Sequence, residues 1–197
     1  MDELIEFEDE ELENMGSINH SIVQAKITGL LLNDERFTPA VELSLDISQI
    51  DLSQFGLKAK EELKPDLCLY QDRRELSFPD DILKMTEMPL LAIEILSPKQ
   101  TIDDILAKFK AYFTLGIKSC WLVTPAIRAI AIYSQPSNFK TFGMNDTEVI
   151  DEIMDIHLSR FEFFFQKTQT SKLFKRFLDG RQMLIANNYS AFLLALR

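Results

Sequence analysis

MPLLAIEILSPKQ, residues 88–100, places one acid inside an apolar run: Leu90, Leu91, Ala92 and Ile93, then Glu94, then Ile95 and Leu96. Without Glu94 the run reads as a strand covered on both faces, the pattern of a central strand under packed helices. A lone buried carboxylate is costly unless a cation or hydrogen-bond donors meet it. What meets Glu94 therefore decides how the chain folds around this strand and what the fold is for.

Downstream, Pro98 ends the strand, and Thr101 or Asp103 starts a helix to about Leu115. Its N-terminal acids suit the helix macrodipole, and Gly116 is placed to stop it. SCWLVT (119–124) and RAIAIYS (128–134) predict two more strands around a turn at Pro125. Upstream, DLCLYQ (66–71) predicts a short strand whose start Pro65 fixes. VELSLDI (41–47) alternates Val41, Leu43, Leu45 and Ile47 with polar residues, the period of a half-exposed strand. Ser17 or Asn19 caps a predicted helix to about Asn33, with Ile22, Val23, Ile27, Leu30 and Leu31 on one face.

The remaining segments are less regular. Residues 48–64 read as a connection with a short helical piece near 58–63, and residues 72–89 as a long polar loop or a small helix. Further β structure is expected near 139–142 and 148–156, and one or two amphipathic helices, interrupted near Gly180, at the end. The order α-β-β-β-α-β predicts an α/β (α+β) fold with a mixed central sheet flanked by helices.

Composition narrows the class. With 46% apolar and 26% charged residues in 197, the chain is expected to be a soluble, single-domain protein. No apolar run reaches membrane-spanning length, and the acidic start is not that of a secretory signal peptide. Cys68 and Cys120 lie in apolar runs without metal-ligand spacing, which predicts reduced core thiols in a cytoplasmic protein. The net charge of −10 argues at first against a nucleic-acid partner. Eight of the acids crowd into residues 1–14, however, and the rest of the chain carries 23 acids against 21 bases. A local basic groove is thus permitted but not demanded.

Two acids stand out by placement: Asp66 at the head of one predicted strand and Glu94 inside another. If those strands are close, the two carboxylates with backbone carbonyls and water form a hard oxygen site suited to Mg²⁺. The alternative is an acid paired with a nearby Arg or Lys. Lys108 lies at the border of the apolar arc formed by Ile105, Leu106, Phe109, Tyr112 and Phe113. From there its ammonium can reach the strand ends, or it can pair with Asp104 one turn earlier. Ser97 has no GxSxG context, no Gly-rich phosphate loop or zinc spacing occurs, and Trp121, Phe109, Tyr112 and the FEFFF run read as core or interface aromatics.

KPDLCLY (64–70), MPLLAIEILSP (88–98) and DILAKFKAYFTLGIKSCWLVTP (104–125) resemble, in this order and spacing, the Uma-type restriction endonuclease family. That family, formerly a domain of unknown function, belongs to the PD-(D/E)xK nuclease superfamily. The likeness extends to NHSIVQAKITGLLL and ELSLDI and so covers about residues 17–157. It implies a restriction-endonuclease-like core over 17–157. Outside it, the repelling like charges of residues 1–16 predict a mobile acidic leader, and the amphipathic pattern near the end predicts a helical extension at 158–197. It matches Asp66 to the PD aspartate and Glu94 to the acid of (D/E)xK. Leu96 stands where the lysine is expected, and Lys108 on the following helix occupies the position to which that lysine migrates in this family.

What the resemblance implies is hydrolysis of DNA phosphodiester bonds with Mg²⁺ (or Mn²⁺) on Asp66, Glu94 and the Ile95 carbonyl, and with Lys108 at the phosphate. Glu42 and His20 fall in regions that approach such sites, while Asp104 is a supporting or helix-capping residue. The apolar face of 167–197, with Leu173, Phe177 and Leu184, suggests packing on the core or a homodimer. The competing reading is a nuclease fold without catalysis that serves as a binding or assembly module, motivated by Leu96 and the acidic balance.

Overall fold

The computed structural model describes residues 17–58, 63–72, 81–159 and 164. The expected leader, the helical piece at 58–63 (beyond Lys58 and Leu63) and nearly all of the C-terminal extension lie outside the described residues.

The first element is helix α1 (Ile18–Leu31), capped by Ser17, whose side chain accepts from the His20 N–H. Val23, Ile27 and Leu31 form its buried stripe, one contact per helical turn, whereas Ile22, expected on that face, is 43% exposed. Strand β1 (Phe37–Val41) follows, then a 3₁₀ turn (Leu52–Phe55), β2 (Leu67–Gln71) and β3 (Leu91–Ile95). Helix α2 (Ile102–Thr114) connects β3 to β4 (Ser119–Thr124), and β5 (Ala129–Gln135) and β6 (Asn138–Phe142) extend the sheet. A separate hairpin, β7 (Glu148–Asp151) with β8 (Ile156–Ser159), completes the described chain.

The six strands lie side by side in chain order, antiparallel throughout except for the β3–β4 pair. That one parallel pair needs a crossover, and α2 is it. The order of α1, β1, β2, β3, α2 and β4 is the predicted α-β-β-β-α-β.

The strand expected at 41–47 does not form as such. The paired segment is Phe37–Val41, and Glu42 at φ +51° turns the chain out of the ladder. Leu45 then makes only an isolated bridge to Met85. Pro39 disguised the true strand, but β1 is the sheet edge, where a missing N–H is tolerated.

All five residues of β3 are buried, as the alternation of its side chains between two covered faces requires. Leu91, Ile93 and Ile95 join Leu67, Leu69, Trp121 and the α1 stripe in one apolar cluster. Ala92 joins Cys120, Leu122 and the Ile105, Phe109 and Tyr112 stripe of α2 in the other. Cys68 and Cys120 are both buried free thiols. Glu94 projects on the α2 side, and this positions the site.

Candidate active site

Antiparallel pairing of β2 with β3 matches Cys68 to Ala92 and Leu67 to Ile93. One step further in the same register, Asp66 stands opposite Glu94. Directly opposed residues share a face with Cβ atoms about 5 Å apart. The two acids from separate parts of the sequence are thus cross-strand neighbours at one end of the sheet.

Asp66 is held from both sides. Its Oδ2 accepts from the Ile95 N–H at 2.6 Å and lies 3.1 Å from His20 Nε2. The Ser17 cap sets His20 in the first turn of α1, and one turn later Gln24 Nε2 donates to the Asp66 carbonyl at 3.0 Å. The Glu42 N–H donates to the same carbonyl at 3.2 Å.

Glu94 is met by helix α2. It is only 2% exposed; Tyr112 donates its hydroxyl to Oε1 at 2.6 Å, and Lys108 Nζ donates to Oε2 at 3.3 Å. Lys108 and Tyr112 are four residues apart and therefore neighbours on one helix face. The lysine side chain is 23% exposed, its ammonium turned inward to the carboxylate.

The electrostatics follow from this geometry. Burial pushes the Glu94 carboxyl above its ordinary range; Lys108 opposes the rise, Asp66 adds to it, and the Tyr112 hydrogen bond opposes it. The hydrogen bond to Asp66 raises the His20 imidazole above its usual 6.5; burial opposes, and the charges of Asp66, Glu42 and Glu94 reinforce. Burial, then the Glu94 charge, drives the Tyr112 phenol well above its ordinary value, so it stays a donor.

The structure brings Asp66, Glu94, Lys108 and His20 to one point, with the Ile95 backbone between the carboxylates. Glu42 reaches it through its backbone; its side chain is exposed. Asp104 stays at the start of α2, where it and Thr101 form a reciprocal capping box. Those hydrogen bonds from Thr101 hold its carboxyl below the ordinary range. Gln24 and Tyr112 were not assigned to the site from sequence. Their signals were present: each lies four residues after another site residue, and a tyrosine in a core stripe needs a partner for its hydroxyl.

Across residues 1–158 the sequence matches the Uma2 family, described as "Putative restriction endonuclease". The chain belongs to this family. Among solved structures, it is similar to the crystal structure of "a putative nuclease belonging to DUF820 from Anabaena variabilis". The TM-score is 0.59 at 19% identity, with 76% of this chain and 82% of that one covered. At that identity the likeness establishes the fold. No curated protein matches the chain. Uma2 membership gives the coarse function, that of a nuclease-type enzyme.

In this Uma2 protein a cavity of about 460 Å³ lies at the other end of the central strands, among Arg36, Phe37, Asp72, Leu90, Lys118 and Met154. Arg36 there is already paired with Asp34 and Asp155. The facing carboxylates lie apart from this cavity, and there the chain gathers two acids, a lysine and a histidine.

Proposed function

We propose that this Uma2 member is a divalent-metal-dependent DNA endonuclease that hydrolyses phosphodiester bonds, with Asp66, Glu94 and Lys108 as its working residues. The observation that carries the reading is the cross-strand opposition of Asp66 and Glu94, with Lys108 delivered to Glu94 from α2. Opposed like charges destabilise a strand pair; His20 and Lys108 each answer one of the carboxylates, and a divalent cation between them would answer both. Hard carboxylate oxygens, one buried and one partly open, are the donor chemistry that Mg²⁺ or Mn²⁺ accepts. Among the described residues no group of three or more His, Cys, Asp or Glu side chains is placed to hold a metal. Asp66, Glu94 and the Ile95 carbonyl would hold the ion, and Mg²⁺ characteristically takes one or two carboxylates and keeps water and substrate phosphate as its other ligands.

Bound there, the ion supplies a lowered water pKa and positive charge near phosphorus. The chain's own residues do the rest. Lys108 brings a fixed cation to where negative charge grows on the phosphate. The apolar surroundings that bury Glu94 have a low effective dielectric, which strengthens charge interactions at the site. His20 and Gln24 fix Asp66, so its carboxylate does not have to reorganise. A supercoiled-plasmid assay tests the reading: Mg²⁺- or Mn²⁺-dependent nicking is expected, abolished in Asp66→Ala and in Glu94→Ala. Absence of metal-dependent cleavage on every DNA tried would sink it.

One observation favours the second reading, a nuclease fold used as a binding module: both Glu94 oxygens are engaged by the chain's own Lys108 and Tyr112. A double Asp66→Asn, Glu94→Gln protein would then bind its partner unchanged. A cytoplasmic location, suggested by the two free thiols, and a homodimer belong to the nuclease proposal as well. Among the described residues no helix is long and apolar enough to cross a membrane.

A further inference from the structure

The stripe of α2 that covers the β3–β4 face is apolar at Ile105 and Phe109 and then carries a tyrosine. Tyr112 is fully buried, and its ring packs beside Phe109 with centroids 6.3 Å apart. Phenylalanine would fill that space equally well. A hydroxyl in such a place is costly unless a partner meets it, and the partner is Oε1 of Glu94 at 2.6 Å. Lys108, one turn earlier, takes Oε2 at the partly exposed side. The two oxygens of one buried carboxylate are thus divided between two residues of one helix face.

We propose that Tyr112 is a positioning residue: its hydroxyl pins Oε1 and so fixes the plane of the Glu94 carboxylate, presenting Oε2 toward Asp66 and Lys108. The inference rests on the nuclease reading of the site. A carboxylate has two faces and free rotation about its terminal torsion; with Oε1 tied inside the core, only Oε2 remains for a cation shared with Asp66. Since Tyr112 acts through Glu94 and touches no substrate, its loss must be visible in metal binding itself.

Tyr112→Phe removes the hydroxyl and keeps the ring. Mn²⁺ binding to the full-length protein is followed by water-proton relaxation, alongside thermal melting and plasmid cleavage at saturating metal. The expected result is a folded variant whose Mn²⁺ dissociation constant rises about tenfold, with kcat falling while KM for DNA stays near that of the unchanged protein. If the variant melts cooperatively and its Mn²⁺ affinity and kcat match those of the unchanged protein, the positioning role is overturned and the nuclease reading stands. If the variant fails to fold, Tyr112→Trp and Phe109→Leu are measured the same way. Equal loss of Mn²⁺ affinity in both would assign the effect to packing and overturn the role. If the unchanged protein itself neither binds Mn²⁺ nor cleaves, the nuclease reading falls, and the inference with it.

Discussion

At the scale of single residues, Glu94 concentrates the conflict between stability and function. Burial disfavours its charge, and Lys108 and Tyr112 offset only part of that cost. A carboxyl raised in the folded state contributes most stability below its unfolded value, and that contribution is lost as pH rises through the raised one. Glu94→Gln keeps an acceptor for Tyr112 and removes the charge. Its melting temperature is therefore expected to exceed that of the unchanged protein above about pH 5, with cleavage abolished. Thermal melts across pH check this; an equal or lower melting temperature at neutral pH contradicts it. His20 offers a second measurement. Held above 6.5 by Asp66, its protonated form contributes stability fully below pH 6.5, and the contribution fades as pH rises through the raised value. Imidazole NMR is expected to place its midpoint above 6.5 and to return it toward the ordinary value in Asp66→Asn. Lys108→Ala is expected to slow cleavage by roughly 100-fold, the scale of losing one group aimed at developing charge.

At the scale of elements, the acid outside the site is as instructive as those within it. Asp151, the last residue of β7, is fully buried and accepts from Ser119 Oγ at 2.6 Å and Trp121 Nε1 at 2.7 Å, both on β4. Its other oxygen receives the Ile153 and Met154 N–H groups of the β7–β8 turn. It ties the hairpin to the central sheet. Asp151→Ala leaves several buried donors unpaired and is expected to cost about 3 kcal/mol in chemical denaturation, well above a surface change. Nothing in local sequence marked Asp151 as buried, because its two side-chain partners lie about thirty residues earlier and an acid that only accepts from its own turn looks the same. The elements near Glu94 were legible for the opposite reason. An apolar run, a proline stop, a capping threonine and a glycine end mark β3 and α2 locally. VELSLDI misled because its alternation is real but its backbone is not extended: Glu42 takes a positive φ, which no periodicity records.

At the scale of the whole molecule, the separation of the proposed site residues explains what sequence reading could and could not reach. Asp66 and Glu94 are 28 positions apart, and only strand register makes them neighbours. The resemblance paired them before any pairing of strands was known, but it could not supply Gln24 or the Tyr112 hydroxyl. Charge is also organised globally. The chain carries −10, of which eight acids lie in residues 1–14. If these mask a DNA-binding face, deleting residues 1–14 raises DNA affinity at low salt, since fewer negative charges then oppose the phosphates. Equal affinity at 20–50 mM salt (an interval of roughly that order, where long-range charge is felt) would dismiss the mask. The most direct measurement is crystallographic: anomalous diffraction from crystals of the full chain grown with Mn²⁺. A peak bound by the carboxylates of both Asp66 and Glu94, with Lys108 Nζ beside it, is the predicted result. A Mn²⁺ peak elsewhere, or Glu94 still closed on Lys108 and Tyr112 with no peak at saturating Mn²⁺, would contradict it.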